Sequence, residues 1–236
     1  MLIEEMHVTF RELAQQMGMQ TVRAILSEDI DICLNAAIVE KTKEIITNTI
    51  GPLPYNDKVS RQNVALSPIN ALRTLYRSTT ITVGDNNNVL SGDGTEVSPY
   101  AMSINTEGIM LFTSFRVSYN ETTLYDCRII KNEDLGQTLR DFCNRAAKDA
   151  PICTIFGAGD SISVNFYTGR KNTPKPKIVY YTYINEPAKV HYDEDTPDSN
   201  IDCDLPPYLH MDIIRIAVGI YLQSIGAVRD SNKNND

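Results

Sequence analysis

The sequence predicts an α+β fold with an N-terminal helical pair, a β-rich central body and a buried C-terminal helix. Three observations predict it. Apolar residues recur at helical spacing over the first 50 residues, and they alternate with polar residues between turn-rich tracts from about residue 79 to 184. Residues 205–226 are apolar on almost every side of a helix. We therefore divide the chain into an N-terminal helical segment (1–54), a central body (55–204), a C-terminal helix that packs with the N-terminal helices (205–228) and a disordered tail (229–236).

Two helices are predicted in the N-terminal segment. Thr9 and Glu12 have the spacing of a capping box, which places the start of the first helix at Thr9. Ser27 is the predicted cap of a second, longer helix, and Gly51-Pro-Leu-Pro54 is expected to end it. The apolar face of this second helix comprises Ile30, Leu34, Ala37, Ile38, Ile45 and Ile46.

The central body is predicted to be an antiparallel sheet or a sandwich with one inserted helix. Strands are expected at residues 80–83, 100–104, 109–119, 123–131, 152–156, 161–168 and 178–184. The helix is expected at 134–148, with its inward side chains at Leu135, Leu139, Phe142, Cys143 and Ala146. Residues 157–161 are interpreted as a tight hairpin turn. Residues 67–76 form either two helical turns or a loop.

The C-terminal helix carries the candidate site residues. Pro206 and Pro207 favour a first helical turn, and the residues that follow are too apolar for an isolated exposed helix. Asp212, Arg215 and the shortness of the stretch argue against a membrane span. We expect a core element or a subunit interface formed by Ile213, Ile214, Ile216, Val218, Ile220, Tyr221 and Ile225, together with Ile30, Leu34 and Ile38 of the second helix.

Composition narrows the class of protein. The chain has 236 residues, 42% hydrophobic and 22% charged, as expected for a globular protein. Its net charge of −8 argues against binding that depends on neutralising nucleic-acid phosphates. The 5 cysteines include no Cys-x-x-Cys pair, so we expect free thiols rather than a disulfide framework. The first residues lack the features of a secretory signal, which favours a chain made and assembled in a cytoplasm.

Two loops of opposite charge interrupt the second half of the chain. Residues 169–177 are basic and contain prolines, and residues 193–204 are acidic. We interpret both as solvated surface loops. The alternative is that they dock against neighbouring copies in a ring.

No residue pattern identifies an enzyme, a cofactor site or a metal site. Gly157-Ala-Gly-Asp-Ser161 resembles the nucleophile turn of SGNH esterases, but His210 lacks the aspartate that such enzymes place three residues earlier. His7, His191 and His210 have no ligand spacing and are interpreted as surface or cap-region residues. The acidic loop could hold calcium, but a solvated loop is the preferred interpretation. A hydrolase built around Ser161 or the acidic loop is kept as the last alternative.

Two segments resemble a known family. Thr9-Phe-Arg-Glu-Leu13, then Ile25-Leu-Ser-Glu-Asp-Ile-Asp-Ile-Cys-Leu-Asn-Ala-Ala37, resemble the start of head–tail connector proteins of tailed bacteriophages. Those of the crAss-like phages are the most similar. Leu205-Pro-Pro-Tyr-Leu-His210, followed by Ile213-Ile-Arg-Ile-Ala-Val218, resembles the end of such proteins. The likeness covers roughly residues 9–50 and 204–226 and leaves out the β-rich middle.

The resemblance implies a structural virion protein with no catalytic role and no cofactor. Copies of the chain would form a ring of about twelve subunits at the portal vertex or neck. Its partners would be the portal protein, other neck or tail proteins and the packaged DNA, which it would contact passively, with no membrane involved. Assembly would take place in the host bacterial cytoplasm.

A binding module is the main alternative. Tyr180, Tyr181, Tyr183 and Tyr192 offer aromatic rings for a carbohydrate-binding or adhesion module of a phage or bacterium. The chain contains 0 tryptophans, which argues against a sugar platform.

Overall fold

The computed structural model describes residues 1–17, 25–50, 70–84, 89–120, 122–157, 160–169 and 174–233. For residues 49–50 and 226–233 it describes the backbone alone. The fold is α+β, as the sequence predicts. The chain forms two compact units, a helical unit of Met1–Leu75 with Pro187–Asp236, and a sheet unit of Tyr76–Glu186. The structure thus assigns residues 187–204 to the helical unit rather than to the central body, because side chains of the second helix bond to this segment.

The described part of the helical unit contains three long helices: α1 (Ile3–Gln16), α2 (Ser27–Ile50) and the C-terminal helix, α4 (His210–Lys233). Helix α4 packs against both α1 and α2. Two short 3-10 turns, Pro197–Ser199 and Pro207–Leu209, precede α4. Residues 70–72 are helical, and the rest of the ambiguous segment 67–76 lies partly outside the described residues. The predicted end of α2 at Gly51-Pro-Leu-Pro54 also lies outside them.

The start of α1 and the end of α4 differ from their predicted positions. Helix α1 begins at Ile3 rather than at Thr9, since the Leu2 N–H bonds to Glu5 and the Ile3 N–H donates to Asp202 at 2.7 Å. Thr9 instead lies mid-helix, where its hydroxyl donates to the Glu5 carbonyl. Helix α4 continues to Lys233, into the predicted disordered tail, because no proline interrupts residues 226–233.

Among its described residues, the sheet unit contains seven strands: β1 (Tyr76–Thr82), β2 (Tyr100–Asn105), β3 (Ile109–Ser118), β4 (Tyr125–Ile129), β5 (Ile152–Gly157), β6 (Ser161–Tyr167) and β7 (Ile178–Asn185). Their order in the sheet is β1-β7-β3-β4-β5-β6-β2. All neighbours are antiparallel except β4 and β5, which are parallel because α3 (Asn132–Arg140) and the loop after it connect them. Strands β3 and β4 pair antiparallel, and β5 and β6 pair antiparallel on either side of the turn predicted at 157–161, whose residues 158 and 159 lie outside the described part of the chain.

The sheet curls around one apolar core. Phe115 of β3 and Phe166 of β6 are three strands apart in sheet order, about 14 Å in a flat sheet. Their ring centroids are 6.2 Å apart, so the sheet must fold over itself. The core between its inner faces includes Leu90, Tyr100, Met102, Phe115, Val117, Val164, Phe166, Val179 and Tyr181.

Helix α3 is shorter than the predicted helix at 134–148. It ends at Arg140 because Asp141 adopts an extended backbone and its carboxylate accepts the Cys143 N–H at 2.9 Å. Phe142 and Cys143, predicted to face inward, are exposed. Leu135, Leu139 and Ala146 do pack inward, against Ile152 and Tyr167. No helix within the described ranges has the length and hydropathy that a membrane span requires.

Candidate assembly surface

The residues singled out from the sequence lie in the interior of the helical unit. Ile213, Ile214 and Val218 of α4 are fully buried, as are Ile30, Leu34 and Ile38 of α2. Ile216, Ile220, Tyr221 and Ile225 are only partly buried. The described part of the chain therefore covers Ile213, Ile214 and Val218 fully, and it leaves part of the apolar surface of Ile216, Ile220, Tyr221 and Ile225 in contact with water.

Helices α1 and α2 supply that cover. Ile3, Met6, Phe10 and Ala14 of α1 are buried at helical spacing, and the Phe10 ring meets the Tyr221 ring edge-on at 5.8 Å between centroids. Because α1 and α2 cover this part of α4, the high apolar content of its first half does not by itself require a neighbouring subunit.

Helix α2 has a second apolar face that the described part of the chain leaves exposed. Ile32 is 68% exposed and Val39 is 37% exposed, and the exposed Ala36 lies between them. The spacing i, i+4, i+7 places these three side chains in one row along the helix. We call this row the α2 stripe. It lies opposite the buried row of Ile30, Leu34 and Ile38, so α2 is apolar on two faces.

A polar cluster holds residues 187–204, which we call the strap, against α1 and α2. Asp31 is the centre of this cluster: its carboxylate accepts hydrogen bonds from His7 Nε2 at 2.8 Å, from His191 Nδ1 at 3.1 Å and from the Tyr192 N–H at 3.1 Å. The Tyr192 ring packs on the His7 ring at 4.7 Å. One buried carboxylate thus joins two helices and the strap.

Further bonds fix the strap along its length. The Asn35 side chain accepts the Val190 N–H at 2.8 Å and donates to the Val190 carbonyl at 3.0 Å. His191 and Ile201 pair through their backbones, so the strap returns on itself. Asp202 caps α1 at Ile3. The acidic loop predicted at 193–204 is therefore a turn with a defined shape rather than an unconstrained loop.

The interpretation of the histidines as surface or cap-region residues is wrong for His7, which is buried within α1. His210 lies in a cap region, as expected, because it begins α4. His7 and His210 are buried, and burial lowers the pKa of each imidazole, so both are neutral near pH 7. His210 Nε2 donates to the Leu205 carbonyl at 2.8 Å. The burial of His7 was predictable from the sequence, because Ile3, Met6, His7 and Phe10 share one helical face. The prediction missed it because it placed the start of α1 at Thr9.

The residues of the alternative candidate sites belong to both units. Tyr181 and Tyr183 pack with Phe112 in the sheet unit, Arg116 lies over the Tyr180 ring at 5.9 Å, and Tyr192 packs on His7 in the helical unit. Ser161 begins β6 opposite Asn105, and no histidine bonds to it among the described residues. The described chain also contains no group of His, Cys, Asp and Glu side chains placed to hold a metal ion.

The cysteines are free, as expected from the sequence. Cys33, Cys127 and Cys153 are buried, and burial raises the pKa of the Cys153 thiol to about 12. A thiol with such a pKa is protonated at neutral pH and is a poor nucleophile.

No protein-family model matches the chain, and no curated protein matches it.

Proposed function

We propose that this protein is a structural subunit of a ring at the portal vertex or neck of a tailed phage, where it connects the portal to the tail. Its partners would be further copies of itself, the portal protein, neighbouring tail proteins and the DNA that passes through the ring. It carries out no reaction and needs no cofactor. The observation that carries this proposal is the α2 stripe, an apolar row on the outside of a well-packed helical unit.

The stripe favours assembly on energetic grounds. Covering an exposed isoleucine or valine contributes about 1–2 kcal/mol each, and a ring repeats the same contact in every copy. The half-buried Ile216, Ile220, Tyr221 and Ile225 of α4 add further apolar surface to the same helical unit. Contiguous exposed apolar surface on a folded protein is typical of a protein–protein contact.

The charge of the chain is consistent with a DNA conduit. With a net charge of −8, a ring of these subunits would repel the phosphate backbone rather than bind it. A conduit with this property lets DNA move through it. The likeness of residues 9–50 and 204–226 to connector proteins is what points to the portal vertex rather than to another kind of ring.

Substitutions in the stripe test the proposal. Ile32→Asp and Val39→Asp should each prevent association of the chain while leaving it folded, because a carboxylate in a covered apolar contact is strongly disfavoured. Mass by light scattering over a concentration series gives the readout, and circular dichroism checks folding.

Val8→Asp is the matched control. Val8 is 50% exposed and lies on α1 of the same helical unit, so this change adds the same charge outside the stripe. The control should associate like the wild type. Equal association of all variants would refute a role for the stripe in assembly.

A further inference from the structure

A cavity of about 430 Å³ opens in the sheet unit at the end of β6. Its walls come from the end of α3, from the loop that follows α3, and from the turns at Gly94 and Gly169. Leu139, Ala146 and Tyr167 form an apolar side. This volume lies in the range of sites that hold small molecules or several side chains of a partner.

The charged groups of this cavity are mostly cationic. Arg145 and Lys148 lie at its wall, together with one carboxylate, Glu96. Arg145 lies over the Phe142 ring at 5.0 Å, and Lys148 Nζ lies 5.6 Å from the centre of the Tyr119 ring. Within the described ranges neither cation forms an ion pair. A chain with a net charge of −8 therefore contains a pocket with an excess of positive charge.

The strap presents the complementary charge. Glu194, Asp195 and Asp198 are exposed, and no described cation pairs with them. Their turn has a fixed shape. Asp193 accepts bonds from the Asp195 N–H at 2.9 Å and from the Thr196 hydroxyl at 2.7 Å, while Asn200 accepts the Asp193 N–H at 2.8 Å. Because the turn is already ordered, little conformational entropy is lost when it binds.

We propose that the acidic turn of one copy, Glu194 to Asp198, binds in the cationic pocket of the next copy, against Arg145 and Lys148. This inference rests on the proposed ring, and it names the contact between neighbouring subunits. The two surfaces are different parts of the chain, so each copy uses its turn toward one neighbour and its pocket toward the other. Such head-to-tail contacts repeat around a closed ring.

Charge reversal tests this contact with two full-length variants. The pocket variant carries Arg145→Glu and Lys148→Glu, and the turn variant carries Asp195→Lys and Asp198→Lys. Each alone should associate at least about tenfold more weakly than the wild type, because like charges then face each other. Sedimentation velocity over a concentration series measures association, and circular dichroism checks that both variants fold.

A mixture of the two variants supplies the decisive measurement. The acidic pocket of one variant matches the basic turn of the other, and the unchanged basic pocket matches the unchanged acidic turn. Equal amounts of the two should therefore recover wild-type association, with the two variants alternating. Raising the salt concentration should weaken association of both the wild type and the mixture.

The possible results separate this inference from the proposed function. Variants that associate as well as the wild type would overturn the turn-and-pocket contact and leave the ring proposal standing. Variants that fail alone and also fail when mixed would overturn the contact as well, because complementary charge should restore it. A wild type that remains monomeric at every concentration would count against the contact and against self-assembly together.

Discussion

Asp31 is the residue on which the polar contacts of the helical unit converge. It is buried, and it accepts bonds from His7, His191 and the Tyr192 backbone. A carboxylate only accepts hydrogen bonds, so His7 Nε2 carries the proton that it donates to Asp31. This single side chain attaches the strap to α1 and α2.

Removing the Asp31 carboxylate should lower the free energy of unfolding. Asp31→Ala leaves buried donors without an acceptor, and we expect a loss of about 2–4 kcal/mol in the free energy of unfolding. Urea denaturation measures it. Asp29→Ala is the matched control, since Asp29 lies two residues away on the exposed side of α2. Equal effects of the two changes would contradict the central role assigned to Asp31.

The buried histidines predict a dependence of stability on pH. Burial lowers the pKa of His7 and of His210 below the ordinary 6.5, so the unfolded chain binds protons more readily than the folded chain. Stability from this source is fully present above about pH 6.5 and is lost as the pH falls below it, by at most about 1.4 kcal/mol per pH unit for each histidine.

Glutamine variants check this origin. His7→Gln and His210→Gln keep an N–H donor for Asp31 and for the Leu205 carbonyl but do not titrate. Urea denaturation from pH 7 to about pH 5 should show a smaller decline in the double variant than in the wild type. The same decline in both proteins would show that other groups cause it.

At the scale of elements, the curled sheet depends on Phe115. Its ring is 1% exposed and contacts Phe112, Phe166 and Tyr181 across the core. Phe115→Ala should lower the free energy of unfolding by about 3–5 kcal/mol, because a large cavity opens where the strands converge. Phe142→Ala is the control, because it is the same substitution at a side chain that is 80% exposed. It should lower the free energy of unfolding far less. Similar losses at the two positions would show that the sheet does not close over Phe115.

Most of the helices and strands were predictable, because the local spacing of apolar and polar residues determines them. Alternation in Ile162, Val164 and Phe166 places β6, and the apolar rows place α2 and the start of α4. The order of the strands was not predictable, since pairing β7 between β1 and β3 depends on contacts far apart in sequence. The end of α3 depended on one side chain, Asp141, that bonds to its own backbone.

The candidate site was less predictable than the fold. The sequence identified the apolar residues of α4, but burial by α1 and α2 removes Ile213, Ile214 and Val218 from any outer surface. The α2 stripe is visible in the sequence as Ile32, Ala36 and Val39. It is recognisable as uncovered only when the position of α4 is known, because only then is the other face of α2 accounted for.

At the scale of the whole molecule, the proposed ring combines an acidic chain, an uncovered apolar row on the helical unit and a cationic pocket on the sheet unit. The apolar row favours burial against a partner, and the pocket and strap provide complementary charge.

Negative-stain electron microscopy of the purified wild-type chain at high concentration, with mass from light scattering, tests the central claim most directly. We expect closed rings with a central channel and the mass of about twelve chains. A single species with the mass of one chain, 26.4 kDa, at every concentration would contradict the claim that this protein assembles through its own surfaces.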